Sequence, residues 1–234
     1  MVKIINTFKV GDIVTFKTHP LFYNSYIKGD GKYVPPIMII KEVFFENKKK
    51  KICDEVSRKE ISELIKYVCV YFDDNKSEFL EVYLYEKMLE SFAKLKITRV
   101  NSSDGDDISD VIAEISNYPE KPEYVYGEIL YFKTKKLEIL KKRSSIKITK
   151  DKSNGDIINV KEIIQYVVNY ATPDFVTCGF KIEEYEDLFY KDGSIKRLVS
   201  TESVKIKWFN PINNKFSEYY LPVEFFTNIK PFNN

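Results

Sequence analysis

The sequence predicts a mainly β protein with short inserted helices, built as two small antiparallel barrels in tandem. Three observations carry that expectation. Tyrosine and phenylalanine number 17 each and aromatics make up 15% of the chain; such side chains favour pleated, half-buried surfaces. Short apolar segments alternate with a period of two, as at Ile13, Val14 and Phe16 or at Met38 and Ile40, which sends alternate residues to opposite faces of a sheet. One block of sequence, moreover, is written twice.

"GDIVTFKT" from Gly11 and "GEILYFKT" from Gly127 are related by an offset of 116, which also matches Phe8 with Tyr124. "PPIMIIKEVFF" from Pro35 then aligns with "TPDFVTCGFKI" from Thr172 at an offset of 137. The same offset places "CVYFDDNKSEF" (from Cys69) on "IKWFNPINNKF" (from Ile206), Leu84 on Leu221 and Met88 on Phe225. Blocks recurring in one order indicate a duplication. The growth of the offset from 116 to 137 means that the second copy carries 21 extra residues between Lys133 and Pro173.

The elements follow in order. A first unit, residues 1–92, opens with Gly11 at a bend before the strand of Ile13–Phe16. Strands around Met38–Ile40 and Cys69–Tyr71 continue the alternation. Because Val70 is matched by Lys207, that position is expected to face water, whereas Cys69/Ile206 and Tyr71/Trp208 are expected in the core. Between these strands "SRKEISELIKY" carries a capping box, Ser57 with Glu60, and an apolar stripe of Ile61, Leu64 and Ile65; a short helix is predicted near 57–67. A connector, 93–123, is punctuated by "SSDGDD" and "YPEKPE", with a helical turn expected over Ile108, Val111, Ile112 and Ile115. The second unit, 124–234, holds an insertion near 135–171. There Asn154-Gly155 between "IKIT" and "DIINV" signals a hairpin, and Val160, Ile163, Ile164, Val167 and Val168 recur at helical spacing.

Length and composition bound the rest. At 234 residues, with 44% hydrophobic and 31% charged residues, the chain is a globular protein of one large or two small domains. "MVKIINTFKV" has no long apolar core, and "VPPIMII" falls far short of the ~20 residues of a membrane helix. Cys53, Cys69 and Cys178 have no C-x-x-C spacing, which argues against a disulfide framework or zinc ribbon and for a cytoplasmic location without membrane association.

The motif order Gly11-Asp12-Ile13-Val14, Pro36-Ile37-Met38-Ile39-Ile40 and Cys69-Val70-Tyr71-Phe72-Asp73 resembles the small YodC-like proteins. The second copy departs more, with Phe175 for the Met, Ile206 for the Cys and Asn210 for the Asp, but keeps Gly127-Glu128-Ile129-Leu130 and Trp208-Phe209. The resemblance implies SH3-like barrels used twice and brings no catalytic residues with it.

Candidate chemistry is sparse. The lone histidine, His19, precludes a two-histidine metal site and reads as a loop residue. "DKSNGDIINVKE" places Asp151 and Glu162 at the ends of a calcium-loop spacing, but Gly155 and Asp156 are swapped relative to it. "DGDDISD" reads as a solvated linker and "KGDGKYVPP" as a turn without phosphate-loop spacing. No cofactor or metal site is expected.

Two surfaces stand out for binding. The net charge of +2 does not by itself imply a nucleic-acid partner, yet Lys133–Lys152 holds nine basic residues against two acidic ones. Lys135, Lys136, Lys141, Lys142, Arg143, Lys147, Lys150 and Lys152 on a projecting hairpin suit phosphate neutralisation or a protein partner; a solvated face is the competing explanation. Phe22, Tyr23, Tyr26 and Tyr33, with Tyr219 and Tyr220, are aromatics suited to stacking bases or docking a peptide, or to filling the core. The expected function is therefore a non-enzymatic binding module for a protein partner or nucleic acid. The alternative is an enzyme with an acid–base site between the two copies, drawing on Asp73, Asp74 and Glu78.

Overall fold

The computed structural model describes residues 6–19, 33–53, 60–92, 94–100, 107–114, 122–134, 138–150, 157–169 and 173–229. The chain is mainly β and its sheets are antiparallel. A first sheet has the order β4-β3-β2-β1-β5, from β1 (Ile13–Phe16), β2 (Ile37–Cys53), β3 (Glu60–Asp73), β4 (Glu78–Tyr85) and β5 (Leu89–Ser91). Two hairpins follow the chain: β6 (Lys94–Val100) with β7 (Asp107–Glu114), and, after β8 (Ile129–Phe132), β9 (Glu138–Lys150) with β10 (Ile157–Asn169). A second sheet has the order β14-β13-β11-β8-β15, with β11 (Phe175–Ile182), β13 (Glu202–Asn210), β14 (Lys215–Pro222) and β15 (Phe226–Thr227). β12 (Arg197–Val199) leaves the second sheet's stretch of chain and pairs with β2.

Three expected helices are strands. Ile61, Leu64 and Ile65 lie on β3, antiparallel to β2; Ser57 lies outside the described residues. Ile108, Val111 and Ile112 lie on β7 against β6, and Val160–Val168 on β10 against β9. The helical spacing was real, but most of these apolar residues are β-branched, stiff at χ1 and at home on a pleated surface once a partner strand is available. The Asn154-Gly155 signal does fall between two paired strands. Closure into barrels is also corrected: among the described residues neither sheet pairs its two terminal strands, so no sheet closes.

The two sheets agree in detail. Val14 pairs with Met38 and Leu130 with Phe175; Ile39 pairs with Val70 and Val176 with Lys207. A one-residue bulge falls at Lys41 in β2 and at Cys178 in β11. Gly11 and Gly127 have φ of 87° and 82°, and Ser77 and Asn214 of 53° and 50°. The Asp12 carboxylate accepts from Lys9 N at 2.8 Å as Glu128 accepts from Val125 N at 2.9 Å. A one-turn 3₁₀ segment precedes the last strand in both, Glu86–Met88 and Val223–Phe225. Every pair obeys the sequence offsets of 116 or 137.

The sheets stack in the same sense. Val14, Met38, Ile40, Cys69, Tyr67 and Leu89 form a cluster on the front of the first sheet. The second sheet's counterparts of that front, among them Leu130, Phe175, Ile206 and Phe226, form a different cluster, packed on the back of the first sheet at Ile13, Ile37, Ile39, Val70 and Phe72. Val70 is therefore fully buried rather than water-facing. Comparison of the two halves misassigned it because the cover comes from the other half of the chain.

The shared core is dominated by aromatic edges. Phe72 meets Phe175 at 5.7 Å and Trp208 at 6.2 Å between centroids, and Phe79 meets Phe132 at 5.1 Å. Burying side chains of this size stabilises by about 1.5–3 kcal/mol each, with about 0.5–1.5 kcal/mol per well-set ring pair. Hydrogen bonds complete the joint: Trp208 Nε1 and Asn210 Nδ2 donate to the Ser77 carbonyl at 3.0 and 3.1 Å, and Phe45 N donates to Lys196 O at 2.8 Å beside β12.

Candidate functional site

Stacking front to back leaves one sheet face over. The back of the first sheet is covered by the second, whereas among the described residues nothing covers the back of the second. Ile129, Val176, Phe209 and Phe216 stand there with 52%, 42%, 47% and 68% of their surface exposed. Their counterparts Ile13, Ile39, Phe72 and Phe79 are buried or packed in the shared core. Phe209 and Phe216 are cross-strand partners in edge-to-face contact at 5.6 Å. β11, β13 and β14 bring Val176, Lys207 and Glu218 into one row.

The charged part of this face is one linked group. Glu218 accepts from Lys207 Nζ at 2.6 Å and from Lys205, so one carboxylate serves two ammonium groups. Lys205 first and Lys207 second hold the Glu218 carboxyl down to about 2, and Glu218 raises both lysines in return. All three are ionised at neutral pH. Lys181 and Lys205 lie over the Tyr220 ring, each 5.8 Å from its centre, and Lys181 also pairs with Glu183 at 3.4 Å. The result is an exposed, cationic and aromatic surface.

The expected site residues are dispersed. Lys141, Lys142, Arg143, Lys147 and Lys150 all lie on β9, opposite Val167, Tyr166, Gln165, Lys161 and Ile157 of β10. Lys135, Lys136, Lys152, Phe22, Tyr23 and Tyr26 lie outside the described residues. Tyr33 is 78% exposed. Tyr219 and Tyr220 part company, as neighbours on a strand must: Tyr219 stacks on Phe79 at 6.1 Å in the joint, whereas Tyr220 belongs to the open back.

Between the two sheets the described residues pack as the aromatic core. Asp73 instead orders its own turn, accepting from Asn75 N at 3.0 Å, and Glu78 is exposed. His19 lies in the loop after β1, where it is buried against Phe92 at 5.2 Å and desolvation lowers its imidazole to about 4. Burial pushes the Cys69 thiol up to about 12, far from a thiolate nucleophile. Among the described residues no group of three His, Cys, Asp or Glu side chains is arranged to hold a metal ion.

One depression, of about 160 Å³, is lined by Val199, Ser200, Thr201, Glu202, Val223 and Glu224. It is below the roughly 300 Å³ at which ligand pockets begin, and the Ser200 hydroxyl is already bonded to Glu224 at 2.9 Å. Nearby Lys133 is buried, and desolvation lowers it to about 8 against the attraction of Glu224.

Phe209 and Phe216 were absent from the sequence-derived candidates. Their signal was present in the alignment of "CVYFDDNKSEF" with "IKWFNPINNKF" as two retained aromatics, but retention alone does not distinguish a covered face from an open one. Among the described residues no helix is long and apolar enough to cross a membrane. Searches against protein-family models, curated proteins and solved structures give no match to this chain.

Proposed function

We propose that the chain is a non-enzymatic binding module made of two tandem copies of one open, SH3-like unit, residues 1–92 and 124–234, which engages its partner through the back of the second sheet. The observation that carries this reading is the front-to-back stacking: the face buried in the first copy is exposed in the second, with Phe209 and Phe216 still in place. The tandem reading is supported by the identical strand orders, the bulges at Lys41 and Cys178 and the matched 3₁₀ turns. It accords with the YodC-like motif order. The 93–123 connector and the β9–β10 insertion are additions to that plan.

The test is affinity capture from the native cell with the wild-type chain and with F209S/F216S, each checked for an unchanged melting temperature. The reading expects a component that the wild type retains and the double variant loses. Identical captured sets, or loss only through unfolding, would refute it.

A further inference from the structure

We infer that the back of the second sheet is a platform for single-stranded nucleic acid, with Phe209 and Phe216 stacking on bases and the flanking lysines meeting phosphates. This inference rests on the open face described above and adds the chemistry of its occupant.

The contrast with the covered face carries it. The two backs share one backbone and register, so each residue has an exact structural counterpart under a different fate. Where the covered face has Phe44, Val68 and Val70, the open one has Lys181, Lys205 and Lys207. Where the first copy has Glu42 on this face, the second has Gly179. In the other direction Lys41 and Lys66 give way to Cys178 and Ser203, while Glu81 is kept as Glu218. Over these positions two lysines and two carboxylates become three lysines and one carboxylate. The aromatics of the face are retained, Phe72 and Phe79 as Phe209 and Phe216 and Tyr83 as Tyr220.

Each change has a physical direction. A dry sheet-on-sheet contact like that of the first copy would require Lys207 to be desolvated where Val70 now sits, which is costly without a buried counter-charge. A second copy of the chain docking back to back would gather Lys205 and Lys207 against like charges. An acidic, planar ligand meets neither obstacle. Exposed aromatic rings offer sequence-tolerant stacking to unpaired bases, and lysines along the strands attract the backbone. Stacking requires bases free of their own partners, so single strands are favoured over duplex. Lys205 and Lys207 share a single carboxylate, which leaves the row cationic before any ligand arrives.

The experiment is fluorescence anisotropy of the full chain with labelled oligo(dT) and mixed-sequence single-stranded RNA, with a DNA duplex as control. Single strands should bind more tightly than duplex, and for ~three phosphate contacts affinity should fall about 20-fold between about 50 and 200 mM salt. F209A/F216A should weaken binding by about tenfold or more, and K181E/K207E by a similar factor. K141E/K142E/R143E, on the β9 strand, should leave affinity within about twofold. All variants are compared at matched melting temperature. Absence of binding at low salt overturns the proposal, as does binding that ignores F209A/F216A or is lost only in the β9 variant. If single strands do not bind but a nuclease-resistant protein is captured by the wild type and lost by F209S/F216S, the occupant is a protein and the open-face reading survives. If neither is seen, both fall.

Discussion

Phe72 and Phe209 occupy the same place in the two halves of the chain, and truncating each should have unequal consequences. Phe72 is 4% exposed and packs on Phe79, Phe175 and Trp208. Phe72→Ala removes its ring from the shared core, for which a loss of about 3–5 kcal/mol is expected. Phe209 keeps 47% of its surface in solvent and touches the ring of Phe216, so Phe209→Ala should cost about 1 kcal/mol or less. The chain has one tryptophan, and Trp208 sits in the joint between the sheets, so its fluorescence reports the contact directly while far-UV circular dichroism reports all strands. With a urea slope of ~3 kcal/mol/M for a protein of this size, the Phe72→Ala midpoint should fall by about 1–1.7 M. The two probes should give coincident transitions in the wild type, because both sheets share one core. Equal losses for the two variants, or a tryptophan transition well ahead of the dichroism transition, would refute the stacking described here.

Acid should destabilise the protein through His19. The unfolded chain takes up this proton near 6.5 and the folded one only near 4, so stability is complete above pH 6.5 and declines as the pH falls towards 4, by about 3 kcal/mol in all; urea midpoints across this range should slope less in His19→Gln. Gly11→Ala and Gly127→Ala both place a side chain at positive φ, at about 1 kcal/mol, but the new Cβ lies 3.1 Å from Glu224 Cβ at position 11 and meets nothing within 4 Å at position 127. Thermal melts should therefore show Gly11→Ala as the more damaging, by a further ~1 kcal/mol.

Much of each sheet could be read in advance, for an identifiable reason. Strand pairing fixes which residues alternate, and the offsets of 116 and 137 transferred that pattern from one half to the other, down to Gly11 and Gly127 at the bends. Stacking could not be read in this way. Val70 against Lys207 looked like a solvent position because both halves were treated as if they lived in the same surroundings. The helices predicted at Ile61–Ile65 and Val160–Val168 failed for a related reason, since spacing alone cannot show that a long partner strand lies alongside. Tyr219 and Tyr220 were grouped by sequence and are separated by the pleat.

β12 has a consequence for the order in which the chain is made. It adds Arg197, Leu198 and Val199 to the edge of β2, opposite Phe44, Val43 and Glu42, so the first sheet is finished by residues more than a hundred positions beyond its last strand of its own. At a translation rate of roughly 5–20 residues per second, the amino-terminal half waits on the order of ten seconds with that edge and its apolar back uncovered. During that interval it resembles an unprotected β-sheet. Early termination of synthesis between the two halves should thus yield an aggregation-prone fragment rather than a smaller working protein.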